Sequence, residues 1–108
     1  MANKYLRKYL IPAAATEETI YTVPAANTAV MRSLRVTNAG TSSALITVTQ
    51  YVSGTPHYLQ KVRPLPVNET FDVFNGVPCI VEAGDILKVT SSVATVHFYL
   101  SYLEMDRN

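Results

Sequence analysis

One cysteine, no tryptophan and four scattered glycines in 108 residues remove several function classes at once. A lone Cys79 cannot close an intramolecular disulfide, and two distant histidines, His57 and His97, offer no zinc-ligand spacing. Gly40, Gly54, Gly76 and Gly84 each sit alone in a turn signal, so no phosphate-cradling loop is present and no nucleotide cofactor is expected. Charge is also scarce. Nine Lys and Arg against eight Asp and Glu leave a net charge of +1, too weak a field to gather nucleic acid. Apolar runs such as Tyr9 to Ala15 fall far short of the roughly 18 residues of a membrane helix, and no membrane partner is expected. The opening Lys-rich stretch followed by small residues is interrupted at Pro12 and reads as mature protein.

What is present is a period-two pattern. Hydrophobic residues make up 48% of the chain, enough to fill one core, and from Glu18 onward they alternate with polar ones between short turns. Thr19 to Val23 and Thr28 to Thr37 read as strands, the second carrying Val30, Leu34 and Val36 on one parity with a bulge expected near Arg32. Asn38 to Ser43 is a turn. Ala44, Ile46, Val48 and Val52 then line one face of a long strand, opposite Thr47, Thr49 and Tyr51. Ser53 to Pro56 breaks the chain before a shorter strand, His57 to Val62, that stops ahead of Pro64. Glu69 to Asn75, Pro78 to Glu82 and Ile86 to Thr90 follow, with Asn75-Gly76 a strong tight-turn dipeptide. The last strand sets Val96, Phe98, Leu100 and Tyr102 against Thr95, His97, Tyr99 and Ser101. About eight antiparallel strands predict an all-β sandwich of jelly-roll type. Its expected core is Val36, Ile46, Val48, Phe71, Val73, Leu87, Val89, Phe98 and Leu100.

The candidate chemistry is thin. Neither histidine has an orienting partner in its local sequence, so no catalytic residue and no enzyme activity are expected. Cys79, between Pro78 and Ile80, reads as a small buried hydrophobe without the basic neighbours of a reactive thiol. Glu69, Asp72, Glu82 and Asp85 are spread over separate turns, unlike the tightly spaced oxygens of a calcium loop, and no metal is expected. Arg32, Arg35 and Arg63 with Tyr51 and Tyr58 form at most a weak single-strand nucleic-acid signal. Met31, Tyr51, Tyr99 and Leu103 fall on the non-core parity and point to a contact surface.

The first residues stand apart. Lys4, Arg7 and Lys8 alternate with Tyr5, Leu6, Tyr9 and Leu10, and no acid precedes Glu17. Residues 1–17 are expected to form an extended arm that docks on another chain, with the sandwich over 18–105 and a tail at 106–108.

The segments Thr19-Ile-Tyr-Thr-Val-Pro-Ala25, Thr28-Ala-Val-Met-Arg-Ser-Leu-Arg-Val-Thr-Asn38, Tyr58-Leu-Gln-Lys-Val62 and Glu82-Ala-Gly-Asp-Ile-Leu-Lys-Val89 resemble the small all-β accessory virion proteins of tailed bacteriophages. The likeness spans Thr19 to Leu103 and is one of strands and turns. It implies a non-enzymatic virion protein without cofactor, most simply a capsid decoration or cement protein. The implied partners are the major capsid protein or other virion proteins, in a homo-oligomer suspected to be a trimer. A neck, tail or baseplate component is the alternative within that class. A carbohydrate-binding adhesin module is the alternative outside it, disfavoured by the missing tryptophan.

Overall fold

The computed structural model describes residues 3–106, and Met1, Ala2, Arg107 and Asn108 of the expected arm and tail lie outside them. Nine strands follow in order: β1 (Asn3–Leu10), β2 (Glu18–Thr22), β3 (Asn27–Asn38), β4 (Ala44–Val52), β5 (Thr55–Leu65), β6 (Thr70–Asp72), β7 (Cys79–Val81), β8 (Ile86–Ser91) and β9 (Val96–Asp106). One sheet runs β1-β9-β3-β6, with β7 also on β3, and the other runs β2-β8-β4-β5. The pairings nest: β1 with β9, β2 with β8, β3 with β6 and β7, and β4 with β5, all antiparallel. A long hairpin rolled onto itself gives this nesting, so the sandwich is a jelly roll.

The core sits where the alternation places it. Val96, Phe98, Leu100 and Tyr102 of β9 meet Leu34 and Val36 of β3, and Ile46, Val48, Leu87 and Val89 of the second sheet close over them, all buried. Two tight turns follow from local chemistry, one closing the β4–β5 hairpin and one, between Phe74 and Val77, passing the chain from β6 to β7, which both pair with β3. Ser53-Gly54 joins the pair Val52 and Thr55 with φ of 52° and 82°, and Asn75-Gly76 adopts 49° and 82°, the two successive positive angles that match strand twist. Glycine takes the second position of each without strain.

Several expectations change, beginning with the strand expected over His57 to Val62: β5 runs Thr55–Leu65 through Pro56 and Pro64, which an edge strand tolerates because its outer side needs no N–H donor. The bulge at Arg32 is present: Met31 lies opposite Tyr102 and Ser33 opposite Ser101, leaving Arg32 as the extra residue. It reverses parity, so Ala29 and Met31 are buried ahead of it, and Met31 is core where the sequence placed it outside. Thr49 is buried and Val52 is 38% exposed, the reverse of their expected roles. Thr49 sits mid-sheet, flanked across the ladders by Lys88 and Tyr58, whereas Val52 ends its strand at the turn. Phe71 is half-buried, with the Arg63 guanidinium 4.0 Å above its ring. Finally, Asn3–Leu10 is the outermost strand of the first sheet and not a free arm, because its backbone completes the ladder that β9 leaves open. Asp106, expected to begin the tail, belongs to β9.

Candidate assembly surface

β1 is held along one side only. Its register runs from Asn3 opposite Met105 to Leu10 opposite Phe98, and among the described residues its other edge carries no strand. Lys4, Leu6, Lys8 and Leu10 lie on the parity of the core-facing residues of β9. Tyr5, Arg7 and Tyr9 lie on the outer parity. In an ordinary edge strand the inner parity would be buried. Here Asn3 to Tyr9 are all exposed and only Leu10 packs against the core. The sequence-predicted residues Lys4, Tyr5, Leu6, Arg7, Lys8, Tyr9 and Leu10 are thus brought together on one strand, exposed on both faces.

The outer face continues inward as a row. Tyr9 stacks on Tyr99 with centroids 6.4 Å apart and planes 9° from parallel, and the Arg35 guanidinium lies 4.9 Å from the Tyr99 centroid. Each is the direct cross-strand neighbour of the next, the geometry in which aromatic and cation–π pairs reinforce a sheet. Beside this row an open groove is lined by Tyr5, Leu6, Arg7, Arg32, Tyr99, Ser101 and Tyr102. Arg32 joins it because the bulge turns that side chain to the outer surface. Arg32 was not expected at this surface, although the bulge itself is legible from the broken alternation.

The far end of β9 is braced between the sheets. The Tyr21 hydroxyl of β2 donates to Glu104 Oε2 at 2.5 Å, and the Tyr21 and Tyr102 rings lie 4.4 Å apart. Burial foremost, then the hydrogen bond and charge of Glu104, hold the Tyr21 phenol above its ordinary pKa, and burial followed by Glu104 does the same for Tyr102. An unfolded tyrosine ionises near about pH 10, so above that pH the unfolded chain sheds protons that the folded one retains. Stability is full below about pH 10 and declines as pH rises further. Thermal melts in alkaline buffers are expected to show this decline, and Tyr21→Phe should flatten it while lowering the neutral-pH stability by about 1.5 kcal/mol. An unchanged alkaline slope in Tyr21→Phe would remove Tyr21 from the account.

The remaining candidates are dispersed. His57 and His97 are exposed on β5 and β9. Cys79 is half-buried, its thiol pushed up by burial and then by the charge of Asp85, and its Sγ donates to Gln50 Oε1 at 3.6 Å. Asp72 Oδ1 accepts from the backbone of Leu34 and Phe74 at 3.1 and 3.0 Å, and Asp85 Oδ2 accepts from Glu82 N at 2.9 Å. These two carboxylates brace turns. Among the described residues no three His, Cys, Asp or Glu side chains gather where they would hold a metal ion.

No family model and no curated protein matches the chain. Solved structures do match in fold. A subunit of the Bacillus endospore appendages, described as disulfide-linked pili, aligns over 99% of this chain and 88% of its own at 14% identity with a TM-score of 0.61. A protein of the T13 particle of IBDV, an icosahedral virus, aligns over 94% of this chain at 10% identity with a TM-score of 0.58. The chain spans 30% of that viral protein's length. At these identities the likeness establishes the two-sheet fold alone.

Proposed function

We propose that this chain is a non-enzymatic structural protein of a tailed-phage virion, present in many copies and most simply a capsid decoration or cement protein. The observation that carries the reading is β1. A strand exposed on both faces, with Tyr5 at 79% and Tyr9 at 71% exposure, leaves aromatic and apolar area uncovered that a neighbouring subunit buries on assembly. Lys4, Arg7 and Lys8 on the same strand suit an acidic neighbour. The strand-and-turn motifs shared with small phage virion proteins support the location, and the fold is compatible with it. Binding to an assembled shell, and not to its dissociated subunits, stabilises the shell by mass action.

The likeness to a pilus subunit raises a filament as the second reading. A continuous disulfide-linked polymer needs two cysteines per subunit, whereas these 108 residues carry one. Quantitative mass spectrometry of purified particles tests the proposal. A shell protein is expected at on the order of hundreds of copies, as icosahedral repetition requires, and a neck or baseplate component at about a dozen. Absence from washed particles would overturn the virion reading.

A further inference from the structure

We propose that β1 is an exchangeable strand: the partner that covers the β9 edge in the assembled protein is β1 of a second copy of this chain. The proposal deepens the multi-copy reading by naming the partner and its register.

Three observations meet here. First, β1 is fastened to its own sandwich almost wholly through the β9 ladder, since seven of its eight residues are exposed. Detaching it leaves the rest of the core in place. Second, the β9 edge is a receptor whose fit to this sequence is already visible. Eight residue pairs are in register without a shift, Tyr9 stacks on Tyr99, and Lys4 lies opposite Glu104. An exchanged β1 regains every one of those contacts, so exchange costs no pairing, and the two states are separated by the linker and by concentration. Third, the connection is short and anchored behind its first residue: Pro12 is buried, Ala13 N–H donates to Glu18 Oε2 at 2.6 Å and Ala15 N–H to Ser91 O at 2.7 Å, which leaves Ile11 as the hinge. Ala15 holds a φ of 54°, a left-handed angle that strains a residue with a Cβ, and Ile11 is 52% exposed. A short, strained connection favours the open, exchanged form, in which the chain turns out at Ile11 while the Ala15 turn keeps its hydrogen bonds.

The register supplies the test. Arg7 and Ser101 are direct cross-strand partners on the outer face, so Arg7→Cys with Ser101→Cys, in a Cys79→Ala background, can form a disulfide that reports whose β1 lies on whose β9. Tyr5→Cys with Leu103→Cys is a second pair of the same kind, for use if the first variant melts below its parent. The purified full-length protein is equilibrated in a thiol–disulfide buffer at increasing concentration, oxidised, and run on a non-reducing gel. Closure of β1 onto its own chain competes at an effective concentration of order 1 mM. Covalent dimers and longer ladders are therefore expected to rise about tenfold for each tenfold rise in concentration while they remain a minority. Single-cysteine controls are expected to stop at dimers. A disulfide confined to monomers up to about 1 mM, the concentration at which exchange and closure should balance, would overturn the proposal. The assay uses no particle, so a ladder with no protein in virions would sink the virion reading alone, and virion copies with no ladder would sink strand exchange alone.

Discussion

Replacing Asn38 by alanine is expected to lower stability by about 3 kcal/mol, or roughly 12–20 °C in melting temperature for a domain of this size. Asn38 ends β3 fully buried. Its Nδ2 donates to the carbonyls of Ser42 at 2.8 Å and Leu65 at 3.1 Å, and its Oδ1 accepts from Gly40 N at 3.0 Å. Its backbone N–H donates to Glu69 O and its carbonyl accepts from Asn68 N. One amide thus ties the β3–β4 turn to the end of β5, while the main chain around it ties in the start of β6. Alanine removes all three side-chain bonds, and while water can reach the carbonyl of exposed Ser42, the contact with Leu65 O is buried, where losing a partner costs about 1–3 kcal/mol. Asn38→Asp separates hydrogen bonding from size. It keeps the acceptor for Gly40 but turns a charged oxygen on two carbonyls, so it should be worse than alanine at neutral pH and recover as the buffer is acidified. A melting temperature for Asn38→Ala within a few degrees of the parent would mean that the three side-chain bonds contribute nothing net.

Phe98→Ala is expected to cost about 3–5 kcal/mol, the range for emptying an aromatic site in a close-packed core. Phe98 is 1% exposed and lies on β9 between Val36 on one side and Leu10 on the other. The cavity would therefore open where the two-faced exposure of β1 ends and its one packed residue begins. Chemical denaturation should show the loss at unchanged m-value. Phe98→Leu should keep most of the stability, because it refills much of the volume. If alanine cost under about 1 kcal/mol, the surroundings would have collapsed into the site and Phe98 would not be the centre of the core.

Much of this fold is legible because alternation is a strong signal wherever one face of a strand is buried and the other is wet. β4 falls on Ala44–Val52 as read, and all nine expected core residues lie in or against the core. The losses occur where alternation stops reporting burial. A bulge at Arg32 transfers the inward role from Val30 to Met31, and the sequence shows where parity breaks but not which side of the break is turned. Thr49 is buried by its central place in the sheet, a property of strand order and not of its own neighbours in sequence. β1 was invisible as a strand for a simpler reason. With both faces exposed it has no buried parity to announce, and what fixes it is a backbone ladder to a strand nearly ninety positions away. Its composition, basic and aromatic, is what makes it the expected contact segment, and that expectation is the same whichever chain the strand lies on.

The opposite border of the molecule is built to refuse company. β5, at the edge of the second sheet, carries two extra residues relative to β4, places Val62 at a φ of 52°, and includes Pro56 and Pro64, which lack an N–H. Bulges and prolines spoil the regular row of donors and acceptors that another strand would need, so Tyr58 and Val62 can be exposed there without seeding sheet-to-sheet aggregation. The molecule therefore has a polarity. Of these two borders, the one along β1 and β9 suits the proposed strand exchange, and the one along β5 is left for side-chain contacts.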